Sequence, residues 1–256
     1  MKNPEENRLC KNCDAELQGN YCHTCGQKAS TGKLTMRVLL HSLFHGIFHC
    51  DRNILYTYYA LFTRPGKMIA EYIAGHRIRY FNPFTTLIIT AGIVSILEEV
   101  MLAEHLHVSL PAADFILSRL WHHLNAIMST NVAFKAIIVA PVFALSTKWV
   151  TRKKSGHHYN YTELLVACVY IACQCLAIYI LLDIPAQLIF GKDSLIIEFL
   201  PIIYLSLFVW NFKQLFQLSV MKSIWRVFLI ILCWLVIMAF LILLLVGLLL
   251  LFVENK

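Results

Sequence analysis

The stretch Val227–Val253, VFLIILCWLVIMAFLILLLVGLLLLFV, runs for 27 residues without a charged side chain. As a helix it would rise about 40 Å at about 1.5 Å per residue. A typical hydrocarbon core is about 30 Å thick, so the stretch is long enough to cross a bilayer with some tilt. It predicts a spanning helix over about 225–253. The rest of the chain agrees in character. Of its 256 residues 59% are hydrophobic and 14% charged, whereas soluble domains carry about 25% charged residues. A soluble fold could not hide so much apolar surface, and a bilayer must solvate it.

Working back toward the N-terminus, four more spans are predicted, at about 83–103, 132–150, 162–183 and 194–212. Asn82 suits the N-cap of the first and Pro83 its first helical position. Glu98 and Glu99 interrupt that span, which makes it the weakest of the five. Pro141 and Pro201 fall inside spans and predict kinks. The fold class is therefore mainly α, a polytopic membrane helix bundle over 83–256 with about five spanning helices.

The net charge is +7, and 11 of the 22 Lys and Arg residues lie before residue 83. With the N-terminus in the cytoplasm, one inner loop holds Lys148, Arg152, Lys153 and Lys154, and the other holds Lys213, Lys222 and Arg226. The outer loops hold Arg119 and Lys192, and Lys135 lies near the outer end of span two. This follows the positive-inside rule and leaves the C-terminus outside. No secretory signal peptide is visible, so the cysteines are expected in a reducing compartment. Membrane lipids, anionic ones above all, are expected partners.

Residues 34–82 are expected to form amphipathic helices lying at the membrane interface. Asp51 suits the N-cap of a helix over about 52–62. Pro65-Gly66 reads as a break, followed by a short helix over about 67–74 that Gly75 ends. His41, His45 and His49 recur every four residues beside Arg37 and share one stripe. They read first as a polar stripe at the lipid headgroups, and second as a possible second metal site, since two His at i and i+4 can chelate from one face.

Residues 1–33 are polar and carry Cys10-Lys-Asn-Cys13 and Cys22-His-Thr-Cys25-Gly26. Two CxxC knuckles eight residues apart are the pattern of a small zinc ribbon, because Zn²⁺ takes four thiolates in a tetrahedron. Cys10, Cys13, Cys22 and Cys25 are the expected ligands of one structural Zn²⁺. A closed four-thiolate site has no open position for catalysis, and so small a ribbon is expected to fold only with its metal. His23 would be a spare ligand. Docking of a cytoplasmic protein partner is the expected use. Nucleic acid is disfavoured, because the spacer Asp14–Tyr21 contains no Lys or Arg. Residues 28–33 read as a linker. The other five cysteines, Cys50, Cys168, Cys173, Cys175 and Cys233, fall in apolar segments and read as packing residues.

The segment Pro65–Pro83, PGKMIAEYIAGHRIRYFNP, interleaves basic and aromatic side chains. Arg64, Lys67, Tyr72, Arg77, Arg79 and Tyr80 form a candidate site for an anionic ligand or lipid headgroup, or a basic-aromatic membrane anchor. In this segment and in Cys25-Gly26-Gln27 the chain resembles uncharacterised bacterial membrane proteins, common in Bacteroidetes, grouped only as a domain of unknown function. Those pair a double-CxxC ribbon ending in Cys-Gly-Gln with a Pro-Gly…Tyr-Ile-x-Gly-x-Arg-x-x-Tyr-x-x-Pro stretch. Here that stretch is Pro65-Gly66, Tyr72-Ile73, Gly75, Arg77, Tyr80 and Pro83. Tyr161-Thr162-Glu163 also fits, although Leu164 stands where a His is usual and His76 where a Lys is. The resemblance implies a bacterial inner membrane and no activity.

Glu98, Glu99, Gln174 and Glu198 are the main polar groups within spans, where a carboxylate costs a few kcal/mol. They read as interfacial residues reaching water, or as the lining of an outward-facing vestibule rimmed by His105, His107, His122, His123 and Asp114. No phosphate-binding Gly loop, nucleophile elbow or HExxH is present. Three functions follow, in order of weight: a scaffold whose ribbon recruits a protein partner, a transporter or channel for a lipid, ion or small anion, and a membrane enzyme acting on lipids. The last requires Arg77, Tyr80, Glu163 and the interfacial histidines to converge.

Overall fold

The structure is a computed structural model that describes residues 9–36, 38–39, 53–102, 132–152, 159–190 and 195–254. Among these residues there is no strand. The ribbon has two isolated β-bridges, Leu9 with Glu16 and Tyr21 with Lys28. The remainder is helical: α1 (Asn53–Thr63), α2 (Pro65–Ala74), α3 (Pro83–Leu102), α4 (Val132–Thr151), α5 (Tyr161–Ile178), a π-helical turn (Tyr179–Asp183), α6 (Ile184–Phe190), α7 (Leu195–Leu215) and α8 (Val220–Glu254).

Three stretches are long and apolar enough to cross a membrane: Pro83–Val100, Tyr161–Phe190 and Val220–Leu248. Their surroundings differ. Two thirds of the second (67%) is buried in the protein, against 6% of the third. The chain from α5 to α6 is thus the axis of the bundle, and α8 offers an apolar surface that only lipid or another protein would solvate. Helix α5 packs against α1, α2, α3, α4 and α7. It starts cleanly because Asn160 Oδ1 accepts from the Glu163 amide and Glu163 Oε2 accepts from the Asn160 amide, both at 2.8 Å. This capping box satisfies two amide donors at the helix start.

Buried polar groups tie the axis to its neighbours. Gln174 donates to the Leu61 carbonyl at 2.9 Å and accepts from Asn211 at 2.8 Å, joining α5 to α1 and α7. Tyr170 donates to the Phe81 carbonyl at 2.6 Å, and the Phe81 amide donates to Thr57 Oγ1 at 2.8 Å. Such partners are what make polar side chains tolerable inside an apolar bundle.

Residues 53–74 bury one face in this bundle and leave Leu55 and Tyr59 exposed on another. Ala60, Leu61, Met68 and Ile69 are fully buried, and α2 packs along α7. The break expected at Pro65-Gly66 is in fact the start of α2, with Pro65 opening the helix. Gly66 permits the crossing: a Cβ there would sit 2.5 Å from Gln214 Cβ and 2.6 Å from the Leu215 amide nitrogen. Backbone atoms cannot give way as a side-chain tip can. Helix α3 begins as expected, with Asn82 Oδ1 accepting from Phe84 and Thr85.

Gly66→Ala should therefore lower the thermal midpoint of the detergent-solubilised protein, at a cost of about 1–3 kcal/mol for overpacking. Gly92→Ala in α3, where nothing lies within 4 Å of the new Cβ, should be neutral or slightly stabilising. Equal midpoints for the two variants would show that α2 and α7 do not approach so closely.

Candidate metal centre and its docking turn

The two knuckles share one backbone design. The Cys10 amide donates to the Ala15 carbonyl at 2.8 Å and the Asp14 amide to the Cys10 carbonyl at 2.9 Å; Cys22, Gln27 and Gly26 repeat these bonds at 2.8 and 2.9 Å. The residue after each second cysteine takes a positive φ, 58° at Asp14 and 75° at Gly26, which Gly and, less easily, Asp accept. The knuckles bring all four Sγ atoms within 4.8 Å of one another. Cys10 and Cys25 sulfurs lie 3.5 Å apart, as do those of Cys13 and Cys22. Tetrahedral ligation with bonds of about 2.3 Å sets sulfurs about 3.8 Å apart. The four thiols thus form a cage of the size a metal ion needs. Hydrogen bonds from the backbone at Cys25 and Thr24 draw the Cys22 thiol down to about 6, while at Cys13 a backbone bond from Ala15 is outweighed by desolvation and the neighbouring thiols, which hold that thiol up at about 12.

The ribbon is not tethered loosely. Asn12 Oδ1 accepts from the Arg79 amide at 3.3 Å, and the Arg77 amide is shared between Gln27 Oε1 at 3.2 Å and the Gly75 carbonyl at 2.9 Å. Arg77 Nη2 donates to the Gly32 carbonyl at 2.6 Å, so the predicted linker is pinned. Beyond it, Leu34 and Leu39 are buried in the main core, and Asn160 at the cap of α5 donates to the Leu34 carbonyl at 3.0 Å. Gly75 has φ 127°, and a Cβ on it would meet the Lys11 side chain at 3.0 Å. Glycine there serves both the end of α2 and the seating of the ribbon.

The basic-aromatic residues divide: Tyr72 and Tyr80 are buried, Arg64 and Arg77 half-buried, and Lys67 and Arg79 exposed. Arg64 Nη1 pairs with Glu71 Oε1 at 3.0 Å, while Nη2 donates to Tyr56 and Tyr80 at 3.0 and 3.1 Å. Tyr80 donates to Glu71 Oε2. Burial, and then this bond to a carboxylate, push the Tyr80 phenol above its ordinary value and keep it a donor. Arg79 Nε donates to Tyr56 at 3.1 Å. Tyr72 is buried edge-on against Tyr170, and desolvation lifts it to about 12. Desolvation pulls Arg77 below its ordinary value, with Tyr72 and Glu163 opposing. Of the six candidate ligand-binding residues, Arg64, Arg79 and Tyr80 thus share a closed network through Tyr56 and Glu71. Arg77 serves the ribbon and Tyr72 the core. For Lys67 only the amide is bonded, to Gln214 at 3.3 Å.

Of the residues an enzyme would need, Arg77 and Glu163 lie within electrostatic reach of each other. Tyr80 is committed to Glu71, and Glu163 to the cap of α5. Glu98 is buried and does not reach water; its Oε1 accepts from Tyr179 at 2.9 Å. Glu198 is exposed. A cavity of about 600 Å³ lies between α4, α5, α7 and α8, walled by apolar side chains except at Lys135, Tyr179, Asp183 and Tyr204. His41, His45, His49, Asp51, Cys50 and the loop histidines with Asp114 lie outside the described residues.

Sequence reading missed Glu71, Asn12 and the role of Gln27. Glu71 stands seven residues from Arg64, two helical turns on, which is a usable signal once the helix is known to start at Pro65. Asn12 and Gln27 carry no local signal, since their partners are 67 and 50 residues away.

Residues 51–94 match the model of a family described as "Protein of unknown function (DUF3667)". The match covers α1, α2, the docking turn and the first half of α3, so the chain is similar there to an uncharacterised family. No curated protein and no solved structure matches the chain.

Asn12→Leu should remove the acceptor of the Arg79 amide, a loss of about 0.5–1.5 kcal/mol, and speed hydrogen exchange at that amide. Removing the metal with a strong chelator should accelerate exchange at Arg77 and Arg79 together, while amides in the middle of α5 stay protected. Exchange at the turn that ignores both changes would mean the ribbon does not hold it.

Proposed function

We propose that the chain is an integral membrane scaffold of the bacterial inner membrane that carries a structural Zn²⁺ in a cytoplasmic ribbon and uses the ribbon to recruit a protein partner. The observation that carries this reading is the seating of the ribbon on the Gly75–Arg79 turn. A ribbon fastened at Asn12, Gln27 and Gly32 presents its remaining surface at a fixed orientation to the membrane. Leu9 and Tyr21 are 57% and 63% exposed there, and exposed aromatics are common anchors of protein interfaces. Zn²⁺ suits an all-thiolate cage, and four thiolates leave no position for a substrate.

The charge pattern supports five crossings with the N-terminus inside. Helices α4 and α7 stand at the two further predicted spans, and Lys148 and Lys213 fall in their last turns. The ribbon and interfacial segment, 1–33 and 34–82, then face the cytoplasm and its anionic lipids.

Two measurements test this reading. The purified protein should contain one zinc per chain, lost as pH falls because protons compete for the thiolates. A photo-crosslinking amino acid at position 21 should capture one defined cytoplasmic protein in cells, and Cys13→Ser should abolish that adduct without reducing membrane insertion. An adduct that survives Cys13→Ser, or none at all, would overturn the scaffold reading.

A further inference from the structure

The cavity between α4, α5, α7 and α8 plays no part in the scaffold. Along α5 and its π-helical continuation its wall runs from Cys168 to Asp183, about 22 Å at about 1.5 Å per residue. The wall changes character along that line. Cys168, Ala172 and Leu176 are apolar, whereas Tyr179 and Asp183 are polar. Tyr204 lies within electrostatic reach of Asp183 from α7. The volume, about 600 Å³, falls in the usual range for small-molecule sites, roughly 300–1,000 Å³.

Two further observations point to a ligand. Tyr179 and Asp183 open and close the π-helical turn, a rare geometry that is often found where a helix has been bent to serve a site. Opposite charges also face the same space without joining. Lys135 lines the cavity from α4 and Asp183 from α5, yet among the described residues neither is in an ion pair. The buried Asp183 carboxylate is met by Gln187 Nε2 at 2.7 Å. Asp183 is buried and Lys135 half-buried in the first turn of α4, and a carboxylate at such a site gains from a cationic partner. The complement to this wall is a molecule with an apolar chain and both charges on its head.

We infer that this cavity binds one zwitterionic phospholipid, its chain along α5, its phosphate at Lys135 and its ammonium at Asp183. Tyr204 stands near the ammonium end, while the Tyr179 hydroxyl is held by Glu98 at 2.9 Å. An anionic lipid satisfies Lys135 alone and leaves Asp183 facing like charge. The site is independent of the ribbon, and its test does not read partner recruitment.

The test is native mass spectrometry of the full chain in detergent micelles doped with palmitoyl-oleoyl phosphatidylethanolamine or with phosphatidylglycerol of the same chains. Wild type should retain one phosphatidylethanolamine at least about tenfold more strongly than phosphatidylglycerol. Asp183→Asn should erase that preference, Lys135→Met should weaken both lipids about tenfold, and Ala172→Phe should displace the lipid by filling its space. Should Ala172→Phe fail to fold, the isosteric Asp183→Asn decides alone. Equal retention of the two lipids by wild type, or retention of phosphatidylethanolamine indifferent to Asp183→Asn and Lys135→Met, would mean only belt lipid is bound and would overturn the proposal.

Discussion

The turn from Gly75 to Arg79 joins the two halves of this molecule, and its backbone polarity is the constraint that joins them. When α2 ends at Gly75, the chain must present amides that no helix will accept. A backbone donor near a protein surface is satisfied by water, by a side chain or by another backbone group. Here side chains of the ribbon take the role, Asn12 for Arg79 and Gln27 for Arg77. In return Arg77 reaches the Gly32 carbonyl. The ribbon has its own reason to hold Asn12 and Gln27 still, because each knuckle is closed by bonds that run through the cysteine backbones. The geometry of the four-thiol cage is thereby coupled to the shape of a turn 50 to 67 residues downstream.

That coupling changes the meaning of the basic-aromatic segment. Read as a string, Arg64, Arg77, Arg79, Tyr72 and Tyr80 look like a surface waiting for an anion. In space each has work inside the fold. Arg64 is neutralised by Glu71 and donates to two phenol oxygens; such a pair at intermediate exposure is worth little as Coulomb energy alone, and more as a geometric constraint. It ties the start of α2 to its last turn and, through Tyr80, to the strand of chain that leads into α3. The cationic stripe is a hinge plate between ribbon and bundle.

How much of this was legible follows from the range of each signal. The helices were legible because apolar length is a local property: Pro83 and Tyr161 begin helices within one residue of the expected starts, and three stretches among the described residues are long and apolar enough to cross a membrane. The four-thiol cage was legible because CxxC spacing is local too. What could not be read were contacts made by ordinary residues at long separation. Gly66 looked like a breaker because Pro-Gly usually is one, and only the approach of α7 explains it. Glu98 looked interfacial because it lies near one end of α3, and only Tyr179, 81 residues away, shows it buried. Helices α1 and α2 are amphipathic, with α5 and α7 covering the buried face while Leu55 and Tyr59 stay exposed.

The polar groups left inside the bundle divide into two kinds. Gln174, Tyr170 and Thr57 are neutral and each is bonded to a carbonyl or amide of a neighbouring element, and Asn211 donates to the Gln174 side chain, so they act as cross-braces. Neutral braces cost little once paired. Lys135 and Asp183 are ionisable and line one cavity beside the π-helical turn, with Glu98 bonded to Tyr179 of its wall. A bundle that needed only stability would gain by replacing them with apolar side chains of similar volume. They stand apart from the four-thiol cage of the ribbon, so the charged chemistry of the bundle and the thiol chemistry of the ribbon are separate.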